Sequence, residues 1–293
     1  MANEQVWWID ATGGQINLND WINYMCTRER GGMWAPPYTL SSTRMPLSEG
    51  SQFRDAVVEE RGVDLKQKVR ADSRDQLRAL LRDLSRRMNP RLGQGSVSNP
   101  GLGQLKIVNG NDVRVLNCYP WGIKEPVDHG TSAELVLSFT AYDPCWYDED
   151  PIITTVENTS VVAPFFSSIW FPLRLVGSLN YALRTMVNPG DADSYPIWTI
   201  TGPGDTIILR NLTSGKSLSM GTLALNPGQI LKIDTREGIK TVLLDGLNAM
   251  KSMTILSSLW NLMPGNNQVQ IQMSNTTPYS LITVEYTPRY LSA

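Results

Sequence analysis

The chain is predicted to be mainly β, with its strands grouped into two successive domains and a single packed helix in the first. Three observations carry this reading. In Gln268-Val269-Gln270-Ile271-Gln272-Met273 every second side chain is apolar, the period of a strand with one buried and one wet face. Runs of this kind are separated by turn-forming groups: Gly202-Pro203, Asn211-Leu212-Thr213-Ser214-Gly215 and Pro264-Gly265-Asn266-Asn267. Gly202, Gly215 and Gly265 can take positive φ, which glycine reaches without a Cβ clash. Finally, only one stretch, from Ser73 to Met88, holds a clear helical period.

In that stretch Leu77, Leu80, Leu81, Leu84 and Met88 fall on one stripe, so these leucines are the candidate helix core. Ser73 and Gln76 have capping-box spacing, and Asn89-Pro90 supplies the stop. Before the helix, Gly62 to Val69 reads as a strand. After it, Leu105 to Val108 and Val113 to Leu116 form a hairpin across Asn109-Gly110-Asn111-Asp112. A further strand, Leu135 to Tyr142, runs into Asp143-Pro144. Asp148-Glu149-Asp150-Pro151 disfavours any regular element and marks the boundary between a domain of residues 1–150 and one of residues 151–293. The first domain is expected to be barrel-like or sandwich-like and the second an all-β sandwich. Leu179 to Met186 reads as a short helix, and Phe165-Phe166 with Ile169-Trp170-Phe171 as an apolar patch.

At 293 residues and 41% hydrophobic content the chain can fill two cores. A formal net charge of -2 predicts no strong attraction to nucleic acid or to an anionic membrane. No run approaches the roughly 18 apolar residues of a membrane span, and the N-terminal residues carry neither the basic nor the apolar region of a secretory signal. Cys26, Cys118 and Cys145 are odd in number and far apart, which fits a reducing compartment and neither a disulfide framework nor a zinc site.

No catalytic constellation emerges, so no enzymatic activity, cofactor or metal is expected. Gly215-Lys216-Ser217 lacks the first glycine of a phosphate-binding loop, because Arg210 stands there, and it leads from strand to strand. His129 is the one histidine and lies in a turn, Val127-Asp128-His129-Gly130-Thr131. Asp143, Asp148, Glu149 and Asp150 lack the alternate-residue spacing of a calcium loop and read as a solvated linker. Arg74, Arg78, Arg82 and Arg86 recur every fourth residue on the helix; a solvated face, a charged contact with a neighbouring subunit and nucleic-acid contact all remain open for them. Among nine tryptophans, Trp198 and Trp260 sit in strand blocks and belong to a core. Trp8, Trp34, Trp170 and Phe171 lie in less regular stretches and, with Arg78 and Arg82, are the candidate interface residues.

The order of blocks Tyr195-Pro196-Ile197-Trp198-Thr199, Asn211 to Gly215, Ile233-Asp234-Thr235 and Pro264 to Asn267 resembles the C-terminal domain of the distal tail proteins of long, non-contractile-tailed bacteriophages. Upstream, Trp8-Ile9-Asp10-Ala11-Thr12-Gly13-Gly14 resembles that family's opening strand, and Phe139 to Tyr147 the block that closes its first domain. The resemblance implies a structural protein of the virion tail tip, assembled in the host cytoplasm. It implies a ring, usually of six subunits, whose first domains line a channel for DNA and whose galectin-like second domains project outward. The implied partners are the tail-tube protein, the tail-tip hub or fibre protein, and receptor-binding proteins, with no membrane. A carbohydrate- or receptor-binding tail module is the alternative, and a cell-wall hydrolase a third reading opposed by the missing motifs.

Overall fold

A computed structural model describes residues 4–45, 49–124, 126–157 and 180–293. The chain forms two compact units, one of Met1–Glu149 with Tyr290–Ala293 and one of Asp150–Arg289.

The first unit contains β1 (Gln5–Ile9), β2 (Gln15–Asn17), β3 (Tyr24–Gly31), β4 (Tyr38–Thr43), β5 (Gln52–Val58), β6 (Arg61–Arg70), α1 (Arg74–Arg87), β7 (Gly103–Asn109), β8 (Asp112–Ile123), β9 (Val127–Asp128), β10 (Ser132–Ala141) and β11 (Trp146–Asp148). Its main sheet runs β2-β1-β7-β8-β10-β6-β3, with neighbours antiparallel. β8 bends the sheet back on itself, because residues up to Cys118 pair with β7 while Tyr119 to Ile123 pair with β10 across a bulge. Val6, Trp8, Leu105 and Leu116 from one half therefore meet Leu65, Leu135, Leu137 and Phe139 from the other in a single core. The result is sandwich-like. No barrel closes among the described residues, since the order ends on β2 and β3 without a pairing between them.

Strict alternation in β6 and β10 follows from this arrangement, with one face of each strand on the core and the other toward solvent. The hairpin of β7 and β8 places Leu105 opposite Leu116 and turns at Gly110, whose φ of 64° requires a residue tolerant of the left-handed region. α1 begins where Ser73 Oγ accepts from Gln76 N at 3.2 Å. The reciprocal half of the box slips by one residue, because Gln76 Oε1 accepts from Asp72 N rather than from Ser73. Leu77 and Leu84 are buried, and Leu80 and Leu81 lie half-buried against the same cluster.

The second unit contains β12 (Ile152–Glu157), β13 (Asn180–Asn188), β14 (Ile197–Thr201), β15 (Asp205–Asn211), β16 (Lys216–Ser219), β17 (Ile230–Asp234), β18 (Thr241–Leu244), β19 (Leu247–Asn248), β20 (Gly265–Ser274) and β21 (Leu281–Tyr286). One sheet has the order β12-β21-β14-β17-β18-β19 and the other β13-β20-β15-β16. Their inner faces share one core, in which the indoles of Trp198 and Trp260 meet edge to face at 5.6 Å.

One local expectation is corrected here. Leu179 lies outside the described residues, and the rest of the expected helix to Met186 is strand β13, paired with β20 from Asn180↔Met273 to Asn188↔Gly265. Leu183, Arg184 and Met186 favour a helix intrinsically, but a full ladder outweighs a propensity of a few tenths of a kcal/mol per residue. Gly202 does not take positive φ, unlike Gly215 and Gly265. Its lack of a side chain serves close approach instead, since a Cβ there would collide with Asn226 O and Leu225 Cβ.

Candidate assembly surface

β4 and β5 form a separate two-stranded sheet, and every residue of both strands is exposed. The alternation Tyr38-Thr39-Leu40-Ser41 is that of a strand with one apolar face. In register, Tyr38 faces Val58, Leu40 faces Ala56 and Ser42 faces Phe53, with a bulge between Ser41 and Ser42. The bulge matters because the side-chain period is two: without it Phe53 would stand on the face of Val57, and with it Phe53 joins Tyr38, Leu40 and Val58. Leu40 is 68% exposed and Phe53 62%. A solitary hairpin is marginal in water, and this one leaves its apolar face open to solvent.

The root of this hairpin is tightly held. Arg61, the first residue of β6, follows the outgoing strand and is fully buried. Its Nη1 donates to the carbonyls of Gly32 at 2.8 Å and Trp34 at 2.7 Å, both just before β4. Nε donates to Pro144 O at 2.6 Å and Nη2 to Leu291 O at 2.8 Å. Arg61 makes no ion pair among the described residues, and its guanidinium lies 6.0 Å from the Trp146 ring centroid. Burial pulls its pKa below the ordinary arginine value, with weaker opposing effects from Cys145 and Tyr38. Around it, Met33 and Pro36 are buried, Glu59 N donates to Pro37 O, and Ala293 N donates to Met33 O. Gly32 sits at φ 74° with its Cα against Gly62 O, where a Cβ would collide with that carbonyl.

The expected interface residues are scattered. Trp34 is 75% exposed, beside the hairpin root. Trp8 is no surface anchor: it is completely buried, its indole packed 4.9 Å from Phe139 and its Nε1 donating to Arg87 O. The irregular sequence after it misled, because the turn there is built by the Asp10 carboxylate, which accepts from Thr12 N, Thr12 Oγ1 and Gly14 N. Trp170 and Phe171, with the apolar patch around them, lie outside the described residues. Arg78 and Arg82 are exposed on α1. Arg78 reaches Asp75 at 3.9 Å, whereas Arg82 has no carboxylate partner among the described residues. Arg74 and Arg86 are ion-paired with Asp128 and Asp83. Hydrogen bonds from Arg87 and Arg86 hold the Asp83 carboxyl below the usual carboxylate range, against a smaller penalty from burial.

The remaining motifs have structural roles. Gly215-Lys216-Ser217 ends the tight connection from β15 to β16, whose turn is fixed by Asn211 Oδ1 accepting from Thr213 N and Ser214 N. His129 lies exposed between β9 and β10, its amide bonded to Ser132 O. The acidic segment is less free than a solvated linker: Asp148 pairs with Arg114 at 2.5 Å and Glu149 with Lys106 at 2.5 Å. Burial pushes the Cys26 thiol up to about 11 and raises that of Cys118 further, so both stay neutral. Among the amides of the C-terminal strand, Gln268 is exposed and bonds Thr185 Oγ1, whereas Asn267 is fully buried.

Comparison with known proteins agrees with this architecture. Residues 189–290 match the family described as siphovirus-type tail component, C-terminal domain. The crystal structure of SPP1 Dit, described as a paradigm of the hub adsorption apparatus in phages infecting Gram-positive hosts, superposes with a TM-score of 0.68 at 13% identity, covering 98% of each chain. A chain of the phage P2 baseplate in its activated conformation with Ca superposes with a TM-score of 0.50 at 10% identity, covering 97% of this chain and 98% of that one. No curated protein matches the sequence. The chain thus has a Dit-like fold along its length, and its residues 189–290 are similar to the C-terminal domain of siphovirus-type tail components.

Proposed function

We propose that this chain, with its Dit-like fold and tail-component domain, is the distal tail protein of a long-tailed phage: a structural hub of the baseplate with no catalytic task. Copies of the first domain, residues 1–150, close into a ring, usually of six. That ring joins the tail tube to the tail-tip hub or fibre protein and leaves a channel for DNA. The second domain, residues 151–293, is a galectin-like platform to which receptor-binding proteins attach.

The observation that carries the proposal is the β4–β5 pair, exposed at every residue of both strands, with Tyr38, Leu40, Phe53 and Val58 on one face. An apolar arm that its own unit leaves uncovered suits a heterologous contact, in which one patch of a subunit meets a different patch of the next; repeated with the right rotation, such contacts close a ring. A stable subunit contact buries upwards of about 1,000 Å² in total, an area the hairpin face and the neighbouring Trp34 would help to supply. Electron-microscopic class averages of the purified full chain, alone and with tail-tube protein, are expected to contain hollow rings. Monomers throughout, or saturable binding of the monomer to a host polysaccharide, would overturn the reading in favour of a receptor-binding module.

A further inference from the structure

We infer that Arg61 is the positioning residue of the hairpin arm, a buried fork that fixes the angle at which β4 and β5 leave the first domain and so sets the arm for assembly. The inference rests on the assembly role proposed above, but its own basis is local geometry. A guanidinium offers five N–H donors in one rigid plane, and here bonds reach four carbonyls from three separate parts of the chain. Gly32 and Trp34 belong to the incoming leg of the hairpin, and Arg61 itself terminates the outgoing leg. One side chain therefore holds both legs at a single point. Pro144 and Leu291 tie that point to the body of the domain, and Ala293 N adds a parallel bond to Met33 O.

A fully buried cation without a carboxylate carries a large desolvation cost, and an apolar core residue would fill the same volume without it. What an apolar residue cannot do is satisfy four inward carbonyls whose positions define the arm's exit. Lysine cannot either, since its three donors diverge from one nitrogen on a flexible stem. Arginine at this position is thus explained by the four carbonyls that join the arm to the domain body, and the Trp146 ring beside the guanidinium suits the same choice. The surrounding contacts agree: Gly32 permits the incoming leg to lie against Gly62, which brings its carbonyls within reach of the fork.

The test compares full-length protein with Arg61→Met, Arg61→Lys and a chain ending at Tyr290, which loses the Leu291 acceptor and the Ala293 donor but keeps arginine. Hydrogen exchange of the β4–β5 amides is read on the monomer and the concentration of half-assembly on the ring. Both substitutions are expected to speed exchange in the hairpin at least tenfold relative to β10. They should also raise the half-assembly concentration at least tenfold while the second unit's exchange stays unchanged. The shortened chain is expected to shift both readouts in the same direction by less, and it decides the matter if Arg61→Met does not fold. Unchanged exchange in the hairpin, or exchange accelerated equally throughout the first unit, overturns the inference. If the unsubstituted protein forms no ring, the assembly proposal fails while the exchange comparison still decides the role of Arg61.

Discussion

The indole Nε1 of Trp8 donates to the carbonyl of Arg87 at 3.2 Å, so the first strand of the chain satisfies one of the carbonyls left open by the last turn of the only α-helix among the described residues. The same ring packs on Phe139, and Gly103 lies so close beneath it that a Cβ there would collide with the indole. Trp8→Ala is expected to lower stability by about 3–5 kcal/mol, the range for truncating a buried aromatic. Trp8→Phe should recover most of that and leave roughly 1 kcal/mol for the lost hydrogen bond. Thermal and denaturant unfolding check both.

The two stripes of α1 should behave oppositely. Leu84→Asp places a carboxylate in an apolar core and is expected to cost several kcal/mol or to expel the helix. Arg82→Ala removes an exposed side chain without an ion pair among the described residues and should fall within about 0.5 kcal/mol. Circular dichroism at 222 nm, followed through unfolding, separates these outcomes.

In the second unit, Asn267 Oδ1 accepts from Met263 N at 3.0 Å, and its Nδ2 donates to Met263 O at 2.7 Å and Gly265 O at 3.1 Å. Asn211 Nδ2 also donates to Asn267 Oδ1, at 3.3 Å. Asn267→Ala leaves these part-buried backbone groups and the buried Asn211 amide without their partner and should cost about 1–3 kcal/mol. Asn266→Ala, exposed next to it, serves as the control and should change little.

Alkaline pH should weaken the first unit through Tyr24. Burial, aided by Asp83 and Asp20 and opposed by Arg87, pushes its phenol from 10.0 up to about 12. The folded state therefore holds this proton more tightly than the unfolded one. The contribution is fully present below pH 10 and is lost as pH rises toward 12. Tyr24→Phe should flatten that part of the stability curve, with the remaining slope attributable to other groups such as Cys26.

Periodicity made much of the framework legible. The leucine stripe of α1, the Asn109–Asp112 hairpin and the alternating β20 were all readable, because each states a local period and a local stop. Where the reading failed, the deciding partner was distant in sequence. Trp8 is core because Phe139 and Arg87 close over it, and β13 is a strand because β20 lies alongside. The hairpin of β4 and β5 shows the same limit in reverse: alternation at Tyr38 and Leu40 signals a strand, but no local feature tells that its apolar face stays uncovered. Arg61 carried no signal at all, since four backbone carbonyls select it and carbonyls belong to every residue.

The most direct test of the account is the assembly state of Leu40→Asp with Phe53→Asp. Both side chains are exposed on the hairpin face, so the paired substitution should leave the monomer's melting temperature nearly unchanged. Mass measurement across a concentration series is expected to find closed rings for the unsubstituted chain and monomers for the variant. Rings of the same mass and the same concentration dependence in both proteins would contradict the assignment of this hairpin as the assembly arm.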